Sequence, residues 1–469
     1  MVTVGITQLD ALVAESERHP PRLVDGEVEF HPSYHAAGRL VWTTGVVGAP
    51  AREQASLFFE LAQAGEGGHA CPVVCTAGLV RALRSRASEE LRSRFLPPLL
   101  STDYDTAERG AHFLTERQGG SDVGANRVEA VPDGEVWRLH GEKWFCSVAD
   151  ADQFLVTARP RGAPDGTRGI GCFLVPRSGG GGGFRIRRLK DKLGTRALAT
   201  GEIEFEGAVA YPLGALEEGF HTAVSVLNTS RWLNAVGSAG LMRRAYDEAR
   251  AFSGEREAFG GPIDRFPLVR ENVAVMKAEA AAALASSLHV TELVARSDEG
   301  TATDEDVAWH RILVNANKFV TSLAATKVCR RGIEALGGNG TIEDFSPLPR
   351  LYRDAIVFES WEGTHNVLCA QALRDLAKLD AVDLVVERAQ APEELAARLC
   401  RSLAEPEWGA LHSRRQLDEL VRWLQVAELR ARGDEWAADL VRRRHLTPGH
   451  DREADPSYPD VVEAVLEGK

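Results

Sequence analysis

Nowhere in its 469 residues does the chain reach ~18 uninterrupted apolar positions, the run that a membrane-spanning helix needs. The first residues, Met1-Val-Thr-Val-Gly-Ile6, also lack a basic segment leading into an apolar stretch, so no secretory leader is expected. Cysteine is sparse. Cys71, Cys75, Cys146, Cys172, Cys329, Cys369 and Cys400 are odd in number and without metal-ligand spacing, so no metal site is expected, and Cys71 and Cys75 read as packed small hydrophobes. Positive charge is in deficit, with 55 Lys and Arg against 68 Asp and Glu for a net charge of -13. That balance argues against a surface built for nucleic acid or anionic membrane. No internal repeat is evident. Together these absences predict a reduced, cytoplasmic, soluble protein.

What is present is a 44% apolar composition, enough to fill several cores and consistent with roughly three domains at ~150 residues each. Residues 1–108 read as helical, with segments such as Leu57-Phe58-Phe59-Glu60-Leu61 set apart by Gly65–Gly68 and by Pro97-Pro98. Over 109–215 the period changes to two: Val136 and Arg138 alternate with Trp137 and Leu139, and Ile203 and Phe205 alternate with acids. This predicts a β domain, and the glycine tract 178–183 reads as a flexible hairpin loop. Over 216–380 long helical patterns return, carried by Val224 to Phe252, Val269 to Leu284, Glu305 to Leu336 and the stretch after Thr364, enough for a four-helix bundle. Residues 381–469 add amphipathic stretches at 395–403 and 417–441, then a Pro-, Asp- and Glu-rich tail. The expected fold is mostly α with a central β domain.

One stretch concentrates chemistry. Arg350 to Asn366 sets Glu362 beside Phe358 and Trp361, just ahead of Gly363 and Thr364, and Thr364 reads as a helix N-cap. Burial would raise the pKa of such a carboxylate and a helix N-terminus would lower it. Glu362 is therefore either a general base, or a support for the helix start or the partner of an arginine. A second stretch, Phe113 to Gly124, gathers two hydroxyls and two adjacent glycines, a backbone suited to a pyrophosphate or to an ordinary polar turn. Trp144 ends a strand pattern, where it could cover a planar ring or simply pack.

The order of the motifs is more specific than any one of them. Thr115-Glu116, Gly119-Gly120-Ser121-Asp122, Lys143-Trp144, Lys192-Leu193-Gly194, Arg256 with Phe259-Gly260, Leu336-Gly337-Gly338-Asn339-Gly340, Arg353-Asp354 and Trp361-Glu362-Gly363-Thr364 follow one another as in the acyl-CoA dehydrogenase family, which residues 30–380 resemble. His31-Pro32 with His35, the run Arg188 to Gly194, Pro349 to Arg353 and the added C-terminal helices are most similar to its adaptive-response (AidB-like) flavoprotein branch.

The resemblance implies an N-terminal helical domain, a middle β-barrel-like domain and a C-terminal four-helix bundle, assembled as a homotetramer or homodimer with FAD. It implies that Thr115, Gly120 and Ser121 lie along the flavin and its diphosphate, that Trp144 covers the ring and that Cys146 faces it. It also implies that Arg256 and Phe259 reach the partner subunit's FAD, that Gly337, Gly338 and Gly340 lie against the dinucleotide, and that Thr364 and Asn366 flank the adenosine half. Glu362 falls on the catalytic base and Arg231 on an arginine beside it. The implied reaction is α,β-dehydrogenation of an acyl thioester, on coenzyme A or a carrier protein, with an electron-transfer flavoprotein as expected acceptor.

Three departures stand out. Cys146 replaces a family threonine and is a weaker donor. Glu334 and Pro267 replace glutamines, which predicts fewer contacts to the partner subunit's cofactor. Two other functions share the fold: a flavin monooxygenase or oxidase, against which Glu362 argues, and a nucleic-acid-associated flavoprotein. The latter would need a basic C-terminal face, yet residues 381–469 hold 13 Lys and Arg against 18 Asp and Glu. The cluster Arg442-Arg443-Arg444 reads as a helix C-terminus.

Overall fold

The computed structural model describes residues 6–177, 182–447 and 449–468, and most of the glycine tract expected as a hairpin loop lies outside them. By its internal contacts the chain forms two compact units, Met1–Ala49 with Gly65–Ser230, and Pro50–Ala64 with Arg231–Lys469.

In the first unit, helices Ile6–Arg18, Pro32–Trp42, Ala70–Arg86 and Glu89–Leu99 precede the barrel strands. Pro97 and Pro98 do not interrupt a helix. They sit inside the last turn of Glu89–Leu99, which ends one residue later. A short hairpin, Arg22–Val24 with Glu27–Glu29, turns on Asp25 and Gly26, both at positive φ.

The period-two segments form one sheet. Gln153–Pro160 pairs with Glu129–Asp133, which pairs with Val136–Ser147, then Thr200–Pro212, then Gly171–Pro176, which returns to Gln153–Pro160. These five strands close a barrel, and Gly110–Phe113 and Phe184–Leu189 add to it. Phe184–Leu189 pairs with Thr200–Pro212. Closure removes the free edges that an open sheet of this length would expose. Barrel and helices are stitched together by Thr76, whose Oγ1 accepts from Gly110 N (3.0 Å), and by Gln153, whose Nε2 donates to Phe95 O (2.9 Å).

The second unit is a helical stack. The helix Gly219–Glu255 enters it at Arg231 and is followed by Pro267–Asp298, Asp304–Ala335, Leu348–Ser360 and His365–Leu379. Asp304–Ala335 starts on a capping box in which Thr303 Oγ1 accepts from Asp306 N (3.1 Å) and Asp306 Oδ2 accepts from Thr303 N (3.3 Å). Pro267–Asp298 is long and apolar enough to cross a membrane by composition, but 72% of its apolar window is buried inside the protein, as befits an alanine-rich core helix.

Two expectations need correcting. Leu348–Ser360, not counted among the four expected helices, is itself a helix, burying Leu351, Ala355 and Phe358 in the bundle core. The final segment holds Val382–Arg388, Glu393–Ala404, Pro406–Ala431, Glu435–His445 and Tyr458–Glu467 rather than two stretches and a tail. The helix Tyr458–Glu467 buries Val461, Val462 and Val465 against Ala274, Ala278 and Ala282 of Pro267–Asp298.

Candidate functional site

The first unit presents the turn Thr115–Ser121, and a buried ion pair shapes it. Lys143, fully buried, donates from Nζ to Glu116 Oε1 (2.8 Å), Leu114 O (3.1 Å) and Thr157 Oγ1 (3.2 Å). Glu116 also accepts from Arg127 N (2.6 Å), Val128 N (3.1 Å) and Gln118 Nε2 (2.9 Å). Burial pushes this carboxyl up, but Lys143 and the other donors outweigh burial and hold it below the usual carboxylate range. Glu116 is therefore the ionised hub around which the turn is wrapped.

Gly119 stands at φ +137°, where a side chain would be strained. A Cβ on Gly120 would strike Thr115 Oγ1 at 2.3 Å. Ser121 is exposed and Thr115 half-buried, so hydroxyls and bare backbone are both available. Trp144 N donates to Thr115 O (2.9 Å), tying the indole to the same turn. The Trp144 ring carries two cations, Lys190 Nζ at 3.7 Å and Arg117 Cζ at 5.3 Å from its centroid.

Cys146 departs from expectation. The ladder between Val136–Ser147 and Thr200–Pro212 slips register between Lys143 and Cys146. That irregularity breaks simple alternation and leaves Phe145 57% exposed while Cys146 is fully buried. The thiol lies near Lys143 and engages the Ile203 backbone, and burial raises its pKa. With no accessible surface, it does not face an open ligand site.

The second unit carries Glu362. Leu348–Ser360 ends at Trp361, whose ring stacks on buried Phe358 with centroids 4.7 Å apart. Glu362 and Gly363 then take φ +57° and +105° before His365–Leu379 begins. For a glutamate such a conformation costs of order 1–3 kcal/mol and persists only where its surroundings impose it. Arg231 is one source: its Nε donates to Glu362 O (2.9 Å) and its Nη1 to Asn315 Oδ1 (2.9 Å). Burial pushes the Arg231 pKa down to about 10. Arg231 thus grips the main chain of the expected base.

Sequence reasoning missed Lys318. Fully buried on Asp304–Ala335, it donates from Nζ to Glu359 O and Gly363 O, both at 3.0 Å, and burial, then Arg231, pushes its pKa down to about 7. The available signal was a lysine three residues after Asn315 and three before Thr321, a run of polar residues at helical spacing within a helix expected to be core. Thr364 holds the N-cap position but makes no side-chain cap bond. Asn366 is exposed, and its Oδ1 accepts from Arg414 Nε (2.9 Å) of Pro406–Ala431.

Arg256 is exposed and Phe259 is 90% exposed at φ +53°, on the short hairpin that follows Gly219–Glu255. Gly337 and Gly338 are exposed, and a Cβ on either would meet nothing within 4 Å, whereas Gly340 packs its Cα against Ile333 O. Uncovered glycine backbone here, and the glycine-and-hydroxyl turn of the first unit, each fit a dinucleotide.

Elsewhere, Arg442 and Arg443 pair with Asp439, Arg443 also with Asp455, and Arg444 approaches Glu271 at 3.8 Å. The cluster is spent on neighbouring acids. Glu15, His19 and His31 bring one ligand atom each within 4.8 Å of one another, but Glu15 already binds His19 (3.1 Å) and His31 Nδ1 accepts from Ser33 N (3.3 Å).

Comparison with known proteins agrees with this geometry. Residues 5–106 match the adaptive response protein AidB N-terminal domain, 111–208 the acyl-CoA dehydrogenase middle domain and 217–377 the acyl-CoA dehydrogenase C-terminal domain. The putative acyl-CoA dehydrogenase AidB of Escherichia coli is 34% identical over 77% of this chain and 69% of its own length. Acyl-CoA dehydrogenase family member 11 of Caenorhabditis elegans is 35% identical over 65% of the chain, which spans about half, 51%, of that relative. The crystal structure of C. elegans ACDH-11 in complex with C11-CoA superposes with a TM-score of 0.82 at 26% identity, covering 99% of this chain and 85% of that one. The three domain matches in sequence order, with a relative of this identity and coverage, mean that the chain belongs to the acyl-CoA dehydrogenase family of oxidoreductases acting on CH–CH donors, on its AidB-like branch.

Proposed function

We propose that the protein desaturates an acyl thioester between its α- and β-carbons, with Glu362 as the base. The observation that carries this reading is the held main chain at Glu362: the residue stands in a left-handed turn, gripped through its carbonyl by Arg231 and following the stacked pair Phe358 and Trp361. A thioester carbonyl acidifies its α-carbon. The α-proton passes to a Glu362 carboxylate oxygen as the β-hydride departs and the double bond forms, giving an enoyl thioester. FAD, the cofactor expected from family membership, supplies the hydride acceptor when bound.

Thr115, Gly120, Ser121 and Trp144 of the first unit would hold it. Glu116 and Lys143 keep the Thr115–Ser121 turn in shape for this task. Coenzyme A is the favoured handle, because the C. elegans relative was captured with C11-CoA. An electron-transfer flavoprotein is the proposed electron acceptor. The exposed apolar residues Phe259, Leu268 and Phe345 support assembly as a homodimer or homotetramer, in which a second copy would cover them.

Anaerobic titration of the flavin-loaded protein with a panel of acyl-CoAs tests the reading. Loss of the flavin's visible absorbance is expected with at least one chain length in the wild type and with none in Glu362→Gln. Absorbance unchanged by every thioester would overturn the proposal. Bleaching that is equally complete in Glu362→Gln would remove Glu362 from it.

A further inference from the structure

Between the helices Leu348–Ser360 and His365–Leu379 the chain makes its strained turn, and a single ammonium spans it. The last carbonyls of a helix have no intrahelical donor. Lys318 Nζ satisfies one of them, Glu359 O, and with another of its hydrogens takes Gly363 O on the far side of Glu362, both at 3.0 Å. Glu362 is thus bracketed by two carbonyls fixed to one buried atom of Asp304–Ala335.

The same helix contributes two further ties. Asn315, three residues earlier, holds Arg231, which donates to Glu362 O. Thr326 Oγ1 donates to the Glu359 carboxylate, which also bonds His365 Nε2 (2.8 Å). Lys318, Asn315 and Thr326 on one helix, with Arg231 and His365 on its neighbours, therefore surround the turn, and Lys318 grips both of its ends.

We infer that Lys318 is a positioning residue: it fixes the left-handed turn at Glu362 and so sets where the carboxylate can reach. This rests on the proposed role of Glu362 as base. A misplacement of a base by about 1 Å can cost ~100-fold in rate, so loss of this clamp should slow proton removal far more than it weakens substrate binding.

The test uses the flavin-loaded full chain with Lys318→Met, an unbranched replacement without a donor, and Arg422→Met as a buried cation removed elsewhere in the same unit. Two readouts are independent. Hydrogen–deuterium exchange over residues 359–368 should quicken in Lys318→Met and not in Arg422→Met. Exchange of α-protons with deuterated solvent in tert-butylacetyl-CoA, whose β-carbon has no hydrogen to transfer, should slow about 10- to 100-fold, with the dissociation constant changed less than threefold.

Unchanged amide exchange over 359–368 overturns the proposal whatever the reaction turns out to be. Quickened amide exchange, in a protein whose wild type exchanges no α-proton of any thioester, upholds the clamp and overturns the dehydrogenase reading instead. Lys318→Gln, whose amide nitrogen still donates, should give the same pattern at smaller amplitude. Failure of both Lys318 variants to fold would assign the residue to the fold and overturn the positioning role.

Discussion

Replacing Lys143 with methionine removes an ammonium with no exposure to solvent and three acceptors. Breaking a buried ion pair from one side costs about 3–5 kcal/mol, because the remaining charge is stranded. Glu116 is not wholly stranded, since it keeps Arg127 N, Val128 N and Gln118 Nε2. The lower end, about 3 kcal/mol, therefore applies, and for a unit of this size it lowers Tm by about 6–12 °C. The double variant Glu116→Gln with Lys143→Met should lose less than Lys143→Met alone, because a neutral amide needs no cation.

The pH dependence has a defined sign. The folded-state pKa of Glu116 lies below the ordinary value, so its stabilisation is complete above about pH 4.3 and is lost as pH falls through the folded value. The gap between wild type and Lys143→Met should narrow on the acid side of that point. Thermal ramps followed by tryptophan fluorescence measure the stability. Release of flavin fluorescence in the same ramp reports the turn, since Trp144 N is bonded to Thr115 O. A Tm shift under about 2 °C, or a double variant losing the sum of the two single effects, would refute the reasoning.

Other consequences are equally specific. Gly120→Ala sets a methyl 2.3 Å from Thr115 Oγ1 and should purify with much less bound flavin at little cost to Tm, read by the ratio of visible to ultraviolet absorbance. In the second unit, burial raises the Glu279 pKa, but Arg422 Nη1 (2.8 Å) and His445 Nε2 (2.6 Å) outweigh it and hold the carboxyl well below its usual range. The helices Pro406–Ala431 and Glu435–His445 should therefore stay docked above about pH 4.3 and loosen as pH falls further, with exchange of their amides quickening. Glu279→Gln should flatten that acid limb and cost about 3 kcal/mol at neutral pH, the lower end for a broken buried pair, because Arg422 keeps Asp418 (3.5 Å) and Gln425 Oε1 (3.0 Å).

Much of this molecule is legible in its sequence because the signals are local. Alternation in Val136–Ser147 and Thr200–Pro212 marks strands, and the spacing from Val269 to Leu284 marks a helix, since one period of side-chain burial suffices. Glu362, Arg231 and the Thr115–Ser121 turn were legible as ordered motifs. Lys318 was not, because its acceptors are backbone carbonyls 41 and 45 residues further on, and carbonyls leave no mark in a sequence. The place expected of Cys146 rests on motif order, two residues after Trp144, whereas a register slip beside Lys143 leaves its thiol without accessible surface. The helix Leu348–Ser360 was hidden by its own interest, as its apolar residues were read as surroundings for Glu362 instead of as a buried face.

The most direct measurement is a single anaerobic turnover. Flavin-loaded protein is mixed with an excess of the acyl-CoA that bleaches it, and the quenched thioester is weighed by mass spectrometry. The account predicts one enoyl thioester, two mass units lighter than the substrate, for each flavin bleached, and slowing of about 10²–10⁴-fold in Glu362→Gln. Bleaching without an enoyl product, or a Glu362→Gln protein that forms it at the wild-type rate, would contradict the account.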